Sequence, residues 1–350
     1  MPGDTYDAII IGSGAGGAST AYKLVKAGHR VLVVERGGFL PRDGSTLDVK
    51  KVFRDGVFSN KDVWQDGSGN TFVPDEFHNV GGKTKWYGAA LFRFADHEFE
   101  ADEAFQCRAW PFGPETLAPW YDEAEEILAV KAFDNEPELQ ALIDRIVAHD
   151  PDWKPQPLPL GLKREILNDP NEAKHFDGFA SASGYKSDAW WNLLDHIKDD
   201  PNFMLIAGNR VTGLVSAEGD AKRVTGVKLE DGTVHTAPAV VLAAGAMTSP
   251  RILQDYLKET GLDLPSAGAV GANFRFHLNS ALLFFSPFKD HDVLRKTAVF
   301  YTDKHPHSTM QCLGWMDGEM LSVQLPAAVP QFVENAMGKR AIGFWATTED

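Results

Sequence analysis

Cysteine is the scarcest residue with chemistry of its own in this chain: two in 350 residues, Cys107 and Cys312, with no C-x-x-C spacing. A disulfide framework and a thiolate zinc site are therefore not expected, and a reducing cytoplasm is the expected setting. Positive charge is short as well, 34 Lys and Arg against 49 Asp and Glu, which leaves a net charge of −15. Such a surface repels phosphodiesters and anionic lipid, so neither nucleic acid nor a membrane is expected as a partner. No apolar run is long enough to span a bilayer, and the acidic Asp4 and Asp7 precede a strand, not a signal-peptide core. The histidines lack ligand spacing; His305-Pro306-His307 reads as a polar turn, and no metal is expected. What is present, 43% apolar and 24% charged residues, suits a globular protein with core enough for two domains.

The strongest signal runs from Tyr6 to Arg36. An apolar strand, residues 8–11, leads into Gly12-Ser13-Gly14-Ala15-Gly16-Gly17, a G-x-G-x-x-G turn. A helix follows with Ala18, Ala21, Leu24 and Val25 at helical spacing, Lys23 and Lys26 near its end and Gly28 as its cap. Each glycine has its own task. Gly12 permits the tight turn, Gly14 lets backbone approach a diphosphate, and Gly17 lets the helix pack on the strand. The unpartnered N–H groups and the dipole of the helix start favour that diphosphate. A second strand, 31–34, ends in Glu35, whose carboxylate can accept both ribose hydroxyls of an adenine nucleotide and would repel a 2′-phosphate. Dinucleotide binding follows, with NADP disfavoured. NAD and FAD are not separated by this stretch.

Farther along, an irregular stretch from Gly37 to about Glu76 reads as a cover. Residues 78–94 then place Gly81-Gly82, Thr84 and small residues among aromatics, which suits either a backbone lying flat on a planar ligand or an aromatic core turn. Residues 114–128 read as a helix, and 132–200 mix helices and loops without a catalytic constellation. Residues 205–215 and 224–229 read as strands, with Glu230-Asp231-Gly232-Thr233 as the hairpin turn before 234–236. The run 239–246 is an all-apolar strand ending in small residues, followed by Thr248-Ser249-Pro250 and a helix over 251–257. Such a strand is expected in the middle of a sheet covered on both faces, with its end against the cofactor. A return to the sheet after about 200 residues is unlike the continuous alternation of an NAD domain and favours FAD. Residues 280–285, 297–301, 309–315 and 341–346 read as strands of a mostly antiparallel second domain, with a helix over 330–337. An exposed strand edge at the last of these would be an aggregation risk.

Together these blocks resemble the glucose–methanol–choline (GMC) family of FAD-dependent oxidoreductases. The resemblance rests on the N-terminal fingerprint and on Gly81-Gly82-Lys83-Thr84-Lys85-Trp86-Tyr87-Gly88-Ala89-Ala90. Trp110-Pro111-Phe112 with Trp120-Tyr121, Val240 to Ala246 with Ser249-Pro250, and Val270-Gly271-Ala272-Asn273 with His277 follow in family order. The implied fold is α/β: a Rossmann-like FAD-binding domain with long insertions, over 1–130 and 200–278, plus part of an α+β antiparallel-sheet substrate domain, over 131–199 and 279–350.

The resemblance implies pyrophosphate at Gly12, Ser13, Gly14, Ala15 and Gly17, and ribose at Glu35 with Arg36 beside it. It implies flavin or phosphate contacts at Gly82, Thr84, Gly88 and Ala89, adenine at Val211, and closure on the cofactor at Ala244 and Gly245. Some members attach FAD through a histidine in the second glycine-rich block; Lys85, Trp86 and Tyr87 stand there, so FAD is expected to be non-covalent. The implied reaction is oxidation of an alcohol or sugar-like substrate, with a histidine taking the hydroxyl proton while hydride leaves for flavin N5. Nothing after residue 281 matches the region that carries this histidine, and the matched position of His277 is not that of the family's base. The base is expected from a further segment or a partner chain. The alternative is a flavin-binding subunit or degenerate relative without catalysis.

Overall fold

The computed structural model describes residues 5–348 except 105, 273, 276, 286–295, 315 and 327, so Asn273 and Trp315 lie outside the described residues. Contacts divide the chain into two compact units, Met1–Arg42 with Val57–Lys85 and Asp188–Phe274, and Asp43–Gly56 with Trp86–Ser187 and Arg275–Asp350. Residues 86–130, read from the sequence with the first domain, group with the second unit.

The first unit is built on a parallel sheet of four strands. Strand β1 (Ala8–Ile11) pairs with β2 (Val31–Glu35) on one side and Ala239–Leu242 on the other, and β2 pairs in turn with Phe203–Ala207. Every residue of β1 and β2 is buried, as unbroken Ile and Val runs require of strands covered on both faces. Helix α1 (Ala15–Lys26) joins them and ends where Gly28, at φ +87°, lets the His29 N–H close on the Leu24 carbonyl at 3.0 Å. A meander of Val211–Ala217, Asp220–Leu229 and Val234–Thr236 adds Val211, Val227 and Leu229 to the core around Ile9, Ile11 and Val34.

Three expectations need correction here. The apolar run at 205–215 is two strands, because Gly208 at φ +77° breaks it. The part before the break joins the parallel sheet and the part after it joins the meander. Ala239–Leu242 is an edge of the described sheet, not its middle. It is apolar because Val240 and Leu242 pack into the core shared with the meander. The helix after it is also longer than expected, Gly245–Thr260, and takes in Pro250.

The second unit contains a five-stranded antiparallel sheet in the order Leu278–Phe285, Ala341–Thr348, Ser308–Cys312, Ala298–Tyr301, Lys154–Pro157. The strand Ala341–Thr348 is thus paired on both sides and presents no edge. Leu139 and Ile143 of the helix Pro137–His149 pack on Ala298, Phe300 and Phe344 of this sheet. A buried lysine, Lys186, gathers three carbonyls in the same unit: Tyr87 at 2.6 Å, Phe176 at 2.8 Å, and Phe179. Among the described residues, no helix is long and apolar enough to cross a membrane.

Candidate functional site

A cavity of about 1020 Å³ opens in the first unit at the C-terminal ends of β1, β2 and Ala239–Leu242, the edge where parallel sheets take ligands. Gly12, Gly14, Ala15, Glu35, Arg36, Gly82, Thr84, Val211, Ala244 and Gly245 all line it. Ser13 and Gly17 do not; both are buried. Gly88 and Ala89 belong to the second unit.

The glycines divide their work as their spacing suggests. A Cβ on Gly12, at φ +101°, would sit 2.5 Å from the Ala243 carbonyl oxygen, and one on Gly17 would sit 1.9 Å from the Gly12 oxygen. Positions 14 and 16 face nothing within 4 Å. The turn is therefore packed to backbone contact below and open above, where the start of α1 presents its N–H groups. That is a cradle for a diphosphate. Gly82 backs onto it, its Cβ position 3.0 Å from the Gly14 Cα.

Glu35, only 7% exposed, is the hub of a hydrogen-bond network. Its Oε2 accepts the Ser13 N–H at 3.0 Å and the Ser13 hydroxyl at 2.6 Å, and its Oε1 accepts the Gly37 N–H at 2.8 Å. The Ser13 oxygen accepts the Gly81 N–H at 3.0 Å. Ser13 thus joins three chain segments, its N–H and hydroxyl both committed to Glu35. By lone-pair count Oε2 is filled and Oε1 keeps room for one ribose hydroxyl. Thr84 is similarly committed: its hydroxyl donates to the Gly81 carbonyl at 2.5 Å and accepts the Ala189 N–H at 3.0 Å.

The wall near Arg36 was not legible in the sequence. Arg36 pairs with Asp62, which lines the cavity and is held below the usual carboxylate range by that guanidinium. The Asp62 N–H donates to Asn60 Oδ1 at 2.9 Å, and the ring Nε2 of His78 lies 3.1 Å from the same oxygen. Burial, and then Arg36, push the His78 imidazole below its ordinary pKa, so it stays neutral near pH 7. Residues 57–78 have no periodicity to announce this.

In the second unit Gly88 abuts the partly buried ion pair of Lys296 and Asp177, whose atoms would lie 2.5 and 2.3 Å from a Cβ there. Ala89 is buried at φ +60° and its carbonyl accepts the Gly161 N–H at 2.9 Å. His277 is exposed and belongs to the second unit.

The donor set fits a dinucleotide: an open glycine cradle at a helix start, with a buried carboxylate one strand away. The family model for FAD dependent oxidoreductases matches residues 7–309. Paromamine 6'-oxidase of Streptomyces fradiae is 28% identical over 272 residues, covering 71% of this chain and 49% of its own. The uncharacterized GMC-type oxidoreductase y4nJ of Sinorhizobium fredii is 26% identical over 299 residues, covering 81% and 54% respectively. The crystal structure of pyridoxine 4-oxidase from Mesorbium loti shares the fold, with a TM-score of 0.61 at 16% identity over 98% of this chain and 71% of that one. The chain spans about half the length of the curated relatives it matches. With the fingerprint, the cradle and a family match running from β1 into the second unit all in agreement, the chain belongs to the FAD-dependent oxidoreductases, and its cofactor is FAD.

Proposed function

We propose that this chain is the FAD-holding part of an oxidoreductase that acts on CH–OH groups of an alcohol or sugar-like substrate. The observation that carries the proposal is the cavity floored by the open Gly14–Gly16 cradle and ended by the buried Glu35. The relative named for oxidising position 6' of paromamine supports the substrate class.

In this reading Gly12, Gly14 and Ala15 hold the pyrophosphate against the start of α1, Glu35 Oε1 accepts a ribose hydroxyl, and Val211 lies beside the adenine. Gly82, Thr84, Ala244 and Gly245 shape the wall toward the flavin, with Gly88 and Ala89 assigned to it by the GMC resemblance. Ser13 and Gly17 act from below, by holding Glu35 and α1 in place. When bound, FAD supplies the hydride acceptor. The base that takes the substrate's hydroxyl proton comes from outside these residues. Among the described residues His78 is the one imidazole on the cavity wall, and it is tied through Asn60 and Asp62 to Arg36, at the ribose end. FAD is held without a covalent bond, because Lys85, Trp86 and Tyr87 stand where some members of the family carry the attachment histidine.

The test is the visible spectrum of the purified chain with FAD, before and after denaturation and filtration, together with turnover of alcohols using an artificial acceptor. A filterable flavin and no turnover are expected from the 350-residue chain alone. Flavin retained by denatured protein would refute the non-covalent assignment, and turnover would refute the placement of the base elsewhere. Glu35→Ala should weaken FAD binding by roughly 1–3 kcal/mol, since it removes the ribose acceptor and strands the N–H groups of Ser13 and Gly37. An unchanged dissociation constant would remove Glu35 from the site.

A further inference from the structure

We infer that Lys85 and Asp188 form a positioning clamp that holds the loop Gly81 to Thr84 in its FAD-binding shape, an inference that rests on reading Gly82 and Thr84 as facing the cofactor. The loop is held at its Gly81 end, where Ser13 accepts the Gly81 N–H at 3.0 Å, the Asn79 carbonyl accepts the Gly82 N–H at 2.8 Å and the Asn79 side chain donates to the Gly82 carbonyl at 3.2 Å. Gly81 and Gly82 sit at φ +91° and +56°, and Gly82, Lys83 and Thr84 line the cavity, with space on one side. A glycine pair in left-handed conformations has many alternatives unless its ends are fixed.

The end at Lys85 is fixed twice. Its ammonium lies 2.8 Å from Asp188 Oδ2, with Lys85 only 7% and Asp188 2% exposed. One residue earlier, the Thr84 hydroxyl takes the Ala189 N–H and turns back on the Gly81 carbonyl. The lysine stem also packs on the loop, its Cε and Cγ lying 3.1 and 3.3 Å from where a Gly81 Cβ would be. Two adjacent residues, 188 and 189, thereby hold two adjacent residues, 84 and 85.

Asp188 is itself immobilised. Its Oδ1 caps the helix Ala189–Asn192 by accepting the N–H groups of Trp190 at 2.8 Å and Trp191 at 2.9 Å. Its own N–H donates to Asn192 Oδ1 at 3.0 Å. Its two oxygens therefore have separate duties, one to the helix and one to Lys85. From Ala189 the hydrogen bonds continue through Thr84 to Gly81, and from the Gly81 N–H through Ser13 to Glu35. The clamp thus sets where the loop stands relative to the ribose acceptor.

An ion pair this deep is a poor way to gain stability, because desolvating both charges offsets most of their attraction. Burial pulls the Lys85 ammonium toward deprotonation and Asp188 opposes it. What the pair does supply is a fixed length and direction at the Lys85 end of the loop.

The separating variant is Lys85→Met with Asp188→Asn. It removes both charges at once, and the asparagine Oδ1 still caps the helix. Three quantities are read on the folded chain: the apo melting temperature, the FAD dissociation constant, and the visible circular dichroism of bound flavin. The expected result is an apo melting temperature near that of the parent, FAD bound about tenfold more weakly, and an altered flavin signal, as an unrestrained loop must be ordered on binding. A folded double variant with the parental FAD constant overturns the clamp, as does a fall in melting temperature alone. Gly82→Ala serves as the control for the underlying reading. If it weakens FAD while the double variant does not, only the clamp fails; if neither does, the loop does not face FAD. Should the double variant not fold, Lys85→Arg, which keeps the charge and changes its reach, replaces it: a changed FAD constant supports the clamp and an unchanged one overturns it.

Discussion

Gly17→Ala is expected to cost about 3 kcal/mol of unfolding free energy and to abolish retention of FAD through gel filtration. The added methyl would lie 1.9 Å from the Gly12 carbonyl oxygen and 3.3 Å from the Ala243 Cβ. Neither obstacle is the movable tip of a side chain. One is the backbone of the turn and the other the first residue beyond Ala239–Leu242, so helix α1 must lift from the sheet. Its first N–H groups lift with it, and the diphosphate cradle opens. The neighbouring Gly16→Ala makes the contrast, since a Cβ there meets nothing within 4 Å and alanine favours the helix. Urea denaturation of the two apo variants should place Gly16→Ala at or above the parent and Gly17→Ala far below. Equal midpoints would mean that α1 has slack the structure does not show.

Lys186→Met is expected to destabilise the chain by roughly 3–5 kcal/mol, by stranding buried carbonyls and not by emptying space. Methionine fills nearly the same volume and is at home in an apolar interior, so packing is largely preserved. What is lost is the donor for the carbonyls of Tyr87, Phe176 and Phe179, drawn from chain segments about 90 residues apart and joined by one side chain that is 1% exposed. The measurement is the urea midpoint at constant m-value. A loss below about 1 kcal/mol would mean that water enters and replaces the ammonium, and the lysine would then be a filler.

These two residues mark the limit of what the sequence discloses. Gly17 is legible because its reason is local: strand, turn and helix lie within 20 consecutive positions, and only one packing satisfies G-x-G-x-x-G between them. The same locality made β2 and Glu35 readable, and the antiparallel sheet of the second unit could be anticipated from its alternating runs. Lys186 was not legible. A lysine that is buried on backbone carbonyls has the same letter as one in solvent, and its partners carry no side-chain signature. The Lys85–Asp188 pair, 103 positions apart, is hidden in the same way. The wall formed by Asp62 and His78 was missed because irregular chain has no period to read. Ala239–Leu242 misled for a third reason: apolarity reports burial, and burial by a second layer looks identical to burial between two strands.

The pairing of Ala8 with Ala239 has a consequence for how the protein is made. A ribosome adds about 5–20 residues each second, so β1 waits on the order of 10–50 s for the strand that closes one of its two sides. Through that interval Ile9, Ile10 and Ile11 offer a bare hydrogen-bonding edge in a crowded cell. The first unit cannot close its sheet while its N-terminal half is being translated. Slow synthesis, scarce trigger-type chaperones or a stalled message between codons 40 and 239 should therefore yield aggregated nascent chains, whereas the same arrests after the 239–242 strand has emerged should not.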